Sequence, residues 1–451
     1  MIEKGKIYNV QIENIGNSGE GVGRIDGLTV FVESGIPKDD LRIKITTLKK
    51  KYGVGEIVEI LKPSPHRIVP ICNIANKCGG CQIMNMEYAE QLNQKRKKVK
   101  ETLKRIGKID AVVHNTIGME NPYLYRNKAQ FPIGTTNGKV EIGFFEKGTH
   151  SIVDTSYCHI QHTINESIVK TIREYVSLYN VSVYNEKTKK GALRHVITRV
   201  GFNTGEVMVV LVTNTKELPY QNELIEILRK NIVGLKSIVH NLNNKATNII
   251  FGEKTQVIFG SEKIMEQVAD LKFKISAQSF FQVNSLQTEV LYKKVLEFAN
   301  LDGSENVFDL YCGTGSISLF LAKKAKKVYG IEIVEKAIND ARENALLNQI
   351  TNAEFFAGDA GETVEKLYDK GITADIVVVD PPRRGCDERL LSTIIKMKPQ
   401  KIIYVSCNPA TLARDLEYLC KREYEVLEVQ PVDMFPHTSH IETVSQIIKR
   451  R

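Results

Sequence analysis

The sequence predicts an α/β chain: a Rossmann-like, doubly wound parallel sheet, preceded by an OB-like β-barrel and a central α+β region. Three observations predict it. From about residue 271 onward short apolar strands alternate with helical stretches, the rhythm of βαβ units. In the first 60 residues period-two alternation recurs between clusters of turn formers. Between these, both patterns mix without an internal repeat. The expected domains are 1–60, 61–270 and 271–451. At 451 residues the chain exceeds a single core. Its 42% apolar and 7% aromatic content excludes wholesale disorder. No apolar run approaches the ~20 residues that span a bilayer, and Met1 to Lys6 lacks the apolar core of a signal peptide. A cytoplasmic location without a membrane partner is therefore expected, and no obligate protein partner is evident. The net charge of +9 permits nucleic acid without requiring it.

The barrel rests on Tyr8, Val10 and Ile12, then Leu41, Ile43 and Ile45, alternating with polar residues around turns at 16–23 and 34–40. About five strands fit before Pro63 and Pro65, and Lys44, Lys49, Lys50 and Lys51 favour RNA over an oligomerisation or linker role. Residues 87–106 read as one amphipathic helix, with Tyr88, Leu92, Val99, Leu103 and Ile106 on its apolar face and Gly107 as its C-cap. Its other face carries Lys95, Arg96, Lys97, Lys98, Lys100, Lys104 and Arg105, a solvated face or a phosphate-binding one. This helix is expected to pack on the C-terminal domain. In the central region strands are expected at 140–145 and 207–212, and helices around 164–178 and 224–228.

The C-terminal region carries the chemistry. Asn306 to Leu319 is a strand, a Gly313-Thr314-Gly315 turn and a helix, a turn that lets a cofactor approach the backbone. The next strand ends at Glu332, where a carboxylate receives ribose hydroxyls. A third closes with Asp359, placed for an adenine amino group or simply for capping the helix near Ala360. Ser316 and Ser318 stand where a pyrophosphate cradle needs glycine, which favours S-adenosylmethionine over a dinucleotide. The fourth strand delivers Asp380-Pro381-Pro382-Arg383, a stiff turn. Methyltransferases acting on base amines have a similar turn with an aromatic residue in the fourth place; Arg383 there argues against an amine.

The fifth strand ends in Ser406-Cys407-Asn408-Pro409. Cysteines at strand ends are often small core residues, but a thiol beside such a cofactor has a specific use. Carbon 5 of a pyrimidine is too weak a nucleophile to take a methyl group unaided, whereas thiolate addition to carbon 6 turns the ring into an enolate whose carbon 5 attacks a sulfonium methyl. A base must then remove the carbon 5 proton. Glu442, in Phe435 to Val444, is the candidate if burial raises its pKa, with His437 or His440 as substitutes.

Of eight cysteines, Cys72, Cys78 and Cys81 cluster around Gly79 and Gly80, and Cys158 is the best fourth ligand. Tetrahedral zinc and a cubane iron-sulfur cluster both take four thiolates, and free structural thiols are the third reading.

With these residues in view the sequence resembles the RNA uracil-C5 (5-methyluridine) methyltransferases along essentially its whole length. Phe280-Phe281-Gln282-Val283-Asn284, Asp380-Pro381-Pro382-Arg383, Ser406-Cys407-Asn408-Pro409 and Phe435 to Glu442 carry the resemblance. It implies a TRAM domain at 1–60, a central α+β iron-sulfur domain, and a class I methyltransferase domain at 271–451. It also implies S-adenosylmethionine bound by Gln282, Tyr311, Glu332, Asp359 and Asp380, Cys407 as nucleophile and Glu442 as base. The cluster-bearing members hold a 4Fe-4S cluster through cysteines matching Cys72, Cys78, Cys81 and Cys158. The TRAM domain together with the cysteines favours 23S ribosomal RNA over transfer RNA. The competing classes are an amine or small-molecule methyltransferase and a non-catalytic RNA-binding ribosome assembly factor; neither needs a thiol nucleophile beside a base.

Overall fold

The computed structural model describes residues 2–450. Strands β1 (Ile7–Ile15), β2 (Gly21–Ile25), β3 (Leu28–Val32), β4 (Asp40–Leu48) and β5 (Tyr52–Lys62) close into a barrel ordered β1-β2-β3-β5-β4. Alternation explains the closure: Val10, Ile12, Leu41, Ile43 and Ile45 are buried inside, while Arg42 and Lys44 between them face water. Lys49, Lys50 and Lys51 are exposed as well.

Helix α1 (Tyr88–Thr102) runs into a single π turn, Leu103–Gly107, rather than continuing as one helix to 106. Gly107 is not its left-handed cap; Lys108 takes that conformation at φ 55°. What Gly107 provides is close approach, since a Cβ there would meet the Ala413 carbonyl oxygen at 2.8 Å. Val99 and Leu103 pack with Leu412, Ala413 and Leu416 of the catalytic half. A second correction concerns Lys95: it is buried, not on the solvated face.

The chain continues through β6 (Val112–Val113), β7 (Lys128–Thr136), β8 (Lys139–Phe145), β9 (Ile152–Asp154), α2 (Ile164–Leu178), β10 (Leu193–Val200), β11 (Val207–Thr213), α3 (Gln221–Asn231), β12 (Leu235–Leu242) and β13 (Lys254–Gly260). Seven of these strands form a sheet ordered β13-β12-β11-β10-β7-β8-β9. In β11 every residue is buried, because the sheet is covered on both faces. Val207, Val209 and Leu211 pack toward α2 and α3, whereas Met208, Val210 and Val212 join a core shared with the catalytic half. The hairpin β14 (Lys263–Val268) and β15 (Leu271–Ser276) belongs to that shared core and straddles position 270.

The remaining elements are α4 (Ser285–Ala299), β16 (Asn306–Leu310), α5 (Ser316–Ala322), β17 (Lys327–Glu332), α6 (Glu335–Leu347), β18 (Ala353–Ala357), α7 (Ala360–Asp369), β19 (Ile376–Val379), α8 (Glu388–Met397), β20 (Lys401–Ser406), α9 (Pro409–Cys420), β21 (Tyr424–Val432) and β22 (Glu442–Lys449). They form a Rossmann-like sheet ordered β18-β17-β16-β19-β20-β22-β21-β6, parallel from β18 to β20 with β22 antiparallel. Its outermost strand, β6, comes from the central region, so the two parts share a sheet as well as a core. Among the described residues no helix is long and apolar enough to cross a membrane.

Candidate active site

Strand order reverses at β16, which lies between β17 and β19, and open α/β sheets bind ligands beyond the carboxyl ends at such a point. Register decides what reaches it. Leu310 pairs with Val379 and Val379 with Tyr404, so Tyr311, Asp380 and the Ser406-Cys407 turn leave the sheet along one edge. β22 runs antiparallel to β20 with Ser406 opposite Thr443, so Cys407 and Glu442 come next to one another. The Thr443 hydroxyl donates to the Ser406 carbonyl at 3.2 Å, and Asn408 Nδ2 to the Arg383 carbonyl at 2.9 Å, tying the three segments together.

On the β16–β18 side the turn is shaped for a ligand. Tyr311 sits at φ 66° and Gly313 at φ 54°; a Cβ on Gly313 would meet nothing within 4 Å, so this backbone borders open space. The Glu332 carboxylate accepts from the backbone N–H groups of Gly313 at 3.3 Å and Val334 at 3.0 Å. Asp359 caps α7, one oxygen accepting from Glu362 N–H at 3.1 Å while the residue stays exposed. Gln282 is buried, its carbonyl held by Asn127 Nδ2 at 2.9 Å. Beneath the turn, Asp309 is fully buried; Oδ2 accepts from the Ser318 hydroxyl, Oδ1 has no partner, and burial pushes the carboxyl up to about 7. An open backbone turn, a tethered acid on the next strand and an orphaned buried carboxylate oxygen fit a nucleoside cofactor that carries positive charge.

The chemistry-bearing side is acidic and desolvated. Burial pushes Asp380 up to about 6, although some of its surface remains accessible. Glu442, 5% exposed, is raised well above the usual carboxylate range by burial and then by Asp380, with Arg383 opposing. Cys407 is pushed up to about 11 by burial, then by Glu442 and Asp380, against Arg383. His437 and His440 are poorer bases: both are driven down to about 4, His437 first by burial and then by Lys95, His440 by burial and then by Arg383 and Lys98. His437 lies stacked on Tyr123, ring centres 4.7 Å apart. Phe280, two residues before Gln282, is 71% exposed.

Sequence reasoning missed what holds the segment before Glu442. Asp433 is 0% exposed, and its carboxylate accepts from Lys95 Nζ at 2.6 Å and the Tyr88 hydroxyl at 3.0 Å. The backbone N–H groups of Gln82 and Ile83 both donate to the His437 carbonyl at 3.1 Å, and the Tyr125 hydroxyl to the Pro436 carbonyl at 3.1 Å. An acid flanked by Val432 and Met434 was the available signal, since a buried carboxylate needs a partner.

Cys72, Cys78, Cys81 and Cys158 line one cavity of about 280 Å³. Burial and the neighbouring thiols push Cys81 and Cys158 up. Among the described residues no group of three or more His, Cys, Asp or Glu is set to hold a metal ion. Elsewhere, a cleft of about 630 Å³ separates the barrel from α1, and Arg24, Phe31, Lys97, Lys98, Lys104 and Arg105 line it together with Glu13 and Glu101. Lys98 links this cleft to the active-site loop by donating to the Ser439 carbonyl at 3.2 Å.

Comparison with known proteins places this geometry in context. Residues 87–450 match the family model described as tRNA (uracil-5-)-methyltransferase, and residues 2–58 match the TRAM domain. An uncharacterized RNA methyltransferase of Clostridium tetani is 49% identical over 98% of this chain and 96% of its own length. One from Bacillus cereus is 50% identical over 98% and 96%. Among solved structures, the Pyrococcus abyssi tRNA (uracil-54, C5)-methyltransferase in complex with S-adenosyl-L-homocysteine superimposes with a TM-score of 0.79. It is 29% identical and covers 98% of this chain and 100% of its own.

Proposed function

The chain belongs to the tRNA (uracil-5-)-methyltransferase family, and from that premise we propose that it methylates carbon 5 of a uridine in RNA through a covalent adduct at Cys407. When bound, S-adenosylmethionine supplies an electrophilic methyl group on a sulfonium. Glu332 would receive its ribose hydroxyls, the free oxygen of Asp359 its adenine amino group, and Gln282, Tyr311 and Asp380 would complete the pocket. Cys407 gives its proton to water and its sulfur adds to carbon 6 of the uracil, making carbon 5 a nucleophile that takes the methyl as the methyl–sulfonium bond breaks and a neutral thioether leaves. Glu442 removes the carbon 5 proton, and the carbon 6–sulfur bond breaks to release product and thiolate. The observation that carries this reading is the β20–β22 register, which sets Cys407 beside Glu442. Amine methylation and bare RNA binding need no such pair.

A 4Fe-4S cluster held by Cys72, Cys78, Cys81 and Cys158 is part of the same reading. Zinc at ~2.3 Å from four thiolates draws the sulfurs to about 4 Å from one another, whereas a cubane spreads them over four irons. The four thiols line one cavity, and that shared lining is what supports a group held by all four. Its role is structural or RNA-positioning, because methyl transfer from a sulfonium moves no net electrons. The uridine must be unstacked for a thiolate to reach carbon 6, and the cationic cleft between barrel and α1 supports RNA as the carrier. Ribosomal RNA is the first substrate to test. The archaeal transfer RNA enzyme spans 98% of this chain, so the barrel alone does not separate the two RNA classes.

The test is incubation with 5-fluorouridine-containing 23S ribosomal RNA and, in parallel, transfer RNA, each with S-adenosylmethionine. Fluorine cannot leave as a proton, so a covalent enzyme–RNA band should persist on a denaturing gel with the RNA that is the substrate. An enzyme that methylates either RNA yet forms no adduct would refute the mechanism.

A further inference from the structure

Helix α1 turns a polar face toward the loop that delivers Glu442. Tyr88, Gln91, Lys95 and Lys98 recur every three or four residues, one side of a helix, and each holds a different part of Asp433 to Ser439. Lys95 Nζ donates to Asp433 Oδ1 at 2.6 Å and to the Phe435 carbonyl at 3.1 Å. The Tyr88 hydroxyl reaches the other Asp433 oxygen. Gln91 brackets His437: its Oε1 accepts the backbone N–H at 3.0 Å and its Nε2 lies 3.2 Å from the ring Nδ1. Lys98 holds the Ser439 carbonyl. Within this grip His437 takes φ 66°, which a bulky residue adopts only where its surroundings impose it.

The geometry points to Lys95 as a positioning residue for the proton-abstraction step. Its ion pair with Asp433, 3% and 0% exposed, fixes the loop that leads into β22 and thereby the pose of Glu442 against Cys407. The inference rests on Glu442 being the base. Lys95 itself touches no reacting atom. Apolar side chains of similar volume would fill the same space with equal or greater stability; what they lack is a single hydrogen-bonded geometry, and a base must be held to a fraction of an ångström. If the loop is freed, Cys407 still adds and the methyl is still transferred, because neither step uses the loop. Proton removal is the step that slows.

The test uses the full-length chain with unmodified transcripts of ribosomal and transfer RNA, and compares Lys95→Met combined with Asp433→Asn, Gln91→Leu, and Glu442→Gln. The first variant removes both buried charges together; the second leaves the ion pair and frees only His437. Expected for the Lys95 variant is a kcat lower by about 100-fold, the scale of an ~1 Å misplacement, with KM for RNA within about twofold. A retarded band of methylated adduct should accumulate as it does in Glu442→Gln, and Gln91→Leu should give the same signature more weakly. A merely structural role would lower the melting temperature without trapping adduct. Folded variants that lose kcat with no adduct, or keep it, overturn the positioning role. An adduct-free, inactive Glu442→Gln would overturn the base assignment and this inference with it.

Discussion

Cys407 should behave as a slow thiol in the free enzyme. Burial, Glu442 and Asp380 push it up to about 11, two units above an ordinary cysteine. At pH 7.5 that lowers its thiolate fraction about 100-fold. A more basic thiolate is also a better nucleophile, by roughly eightfold over two units at a Brønsted slope of 0.4 to 0.5, so the net deficit is about tenfold. The assay is iodoacetamide alkylation, followed by mass spectrometry of the peptide containing Cys407, with Cys407→Ser as blank and an unstructured cysteine peptide as reference. The rate should keep climbing tenfold per pH unit past pH 9 rather than level off. Asp380→Asn, which removes a neighbouring negative charge, should speed alkylation at pH 8, and Arg383→Met should slow it. A plateau between pH 8 and 9 at the reference rate would refute the electrostatic account and mean that the thiolate is already stabilised. If the account holds, thiol activation belongs to the cofactor-bound complex, where a sulfonium's positive charge would offset the carboxylates around Cys407.

Three further outcomes are expected. The Glu442 carboxyl binds its proton more tightly folded than unfolded, so wild-type stability falls as pH rises above the unfolded value; Glu442→Gln should melt higher than wild type at pH 8 and no higher at pH 4, and equal melting temperatures at both would show that the carboxylate is not desolvated. Lys104→Ala combined with Arg105→Ala should weaken RNA binding, lower the logarithmic salt slope by about two, and leave kcat unchanged at saturating RNA; an unaltered slope would remove the cleft from the RNA path. Anaerobically purified chain should be brown with about four irons, and Cys78→Ser should lose both colour and stability; colourless protein containing zinc would replace the cluster reading.

Much of the fold was legible because its signals are local. Period-two alternation marked β1 and β4, and helical periodicity marked α2, because those faces are buried against one partner. The candidate site was legible because strand-end motifs need no tertiary information beyond the rule that such ends share an edge. What escaped were long-range pairings. Lys95 lies in a run of cations and reads as solvated; only the fold brings Asp433, over 300 positions away, against it. Gly107 reads as a cap because nothing local reveals Ala413 pressing on it. Strand β6 is two residues long, too short for any periodicity, and it exists because the edge of β21 offers it hydrogen bonds.

The same loop also joins the cysteine cavity to the catalytic edge. Tyr125 is fully buried and packs with Met84, Ile160, Cys72, Cys81 and Cys158, and its hydroxyl holds the Pro436 carbonyl. Gln82, next to Cys81, donates from its side chain to the Gly79 carbonyl at 2.8 Å and from its backbone to the His437 carbonyl. Whatever fixes the turn from Cys78 to Cys81 therefore fixes one side of the Glu442 loop, while Lys95 and Gln91 fix the other. A reaction that moves no net electrons has no redox use for four thiols, but it does need its base held still. Helix α1 and the Cys78–Cys81 turn both grip this loop, so on the proposed mechanism the cysteine-lined cavity helps to hold the base.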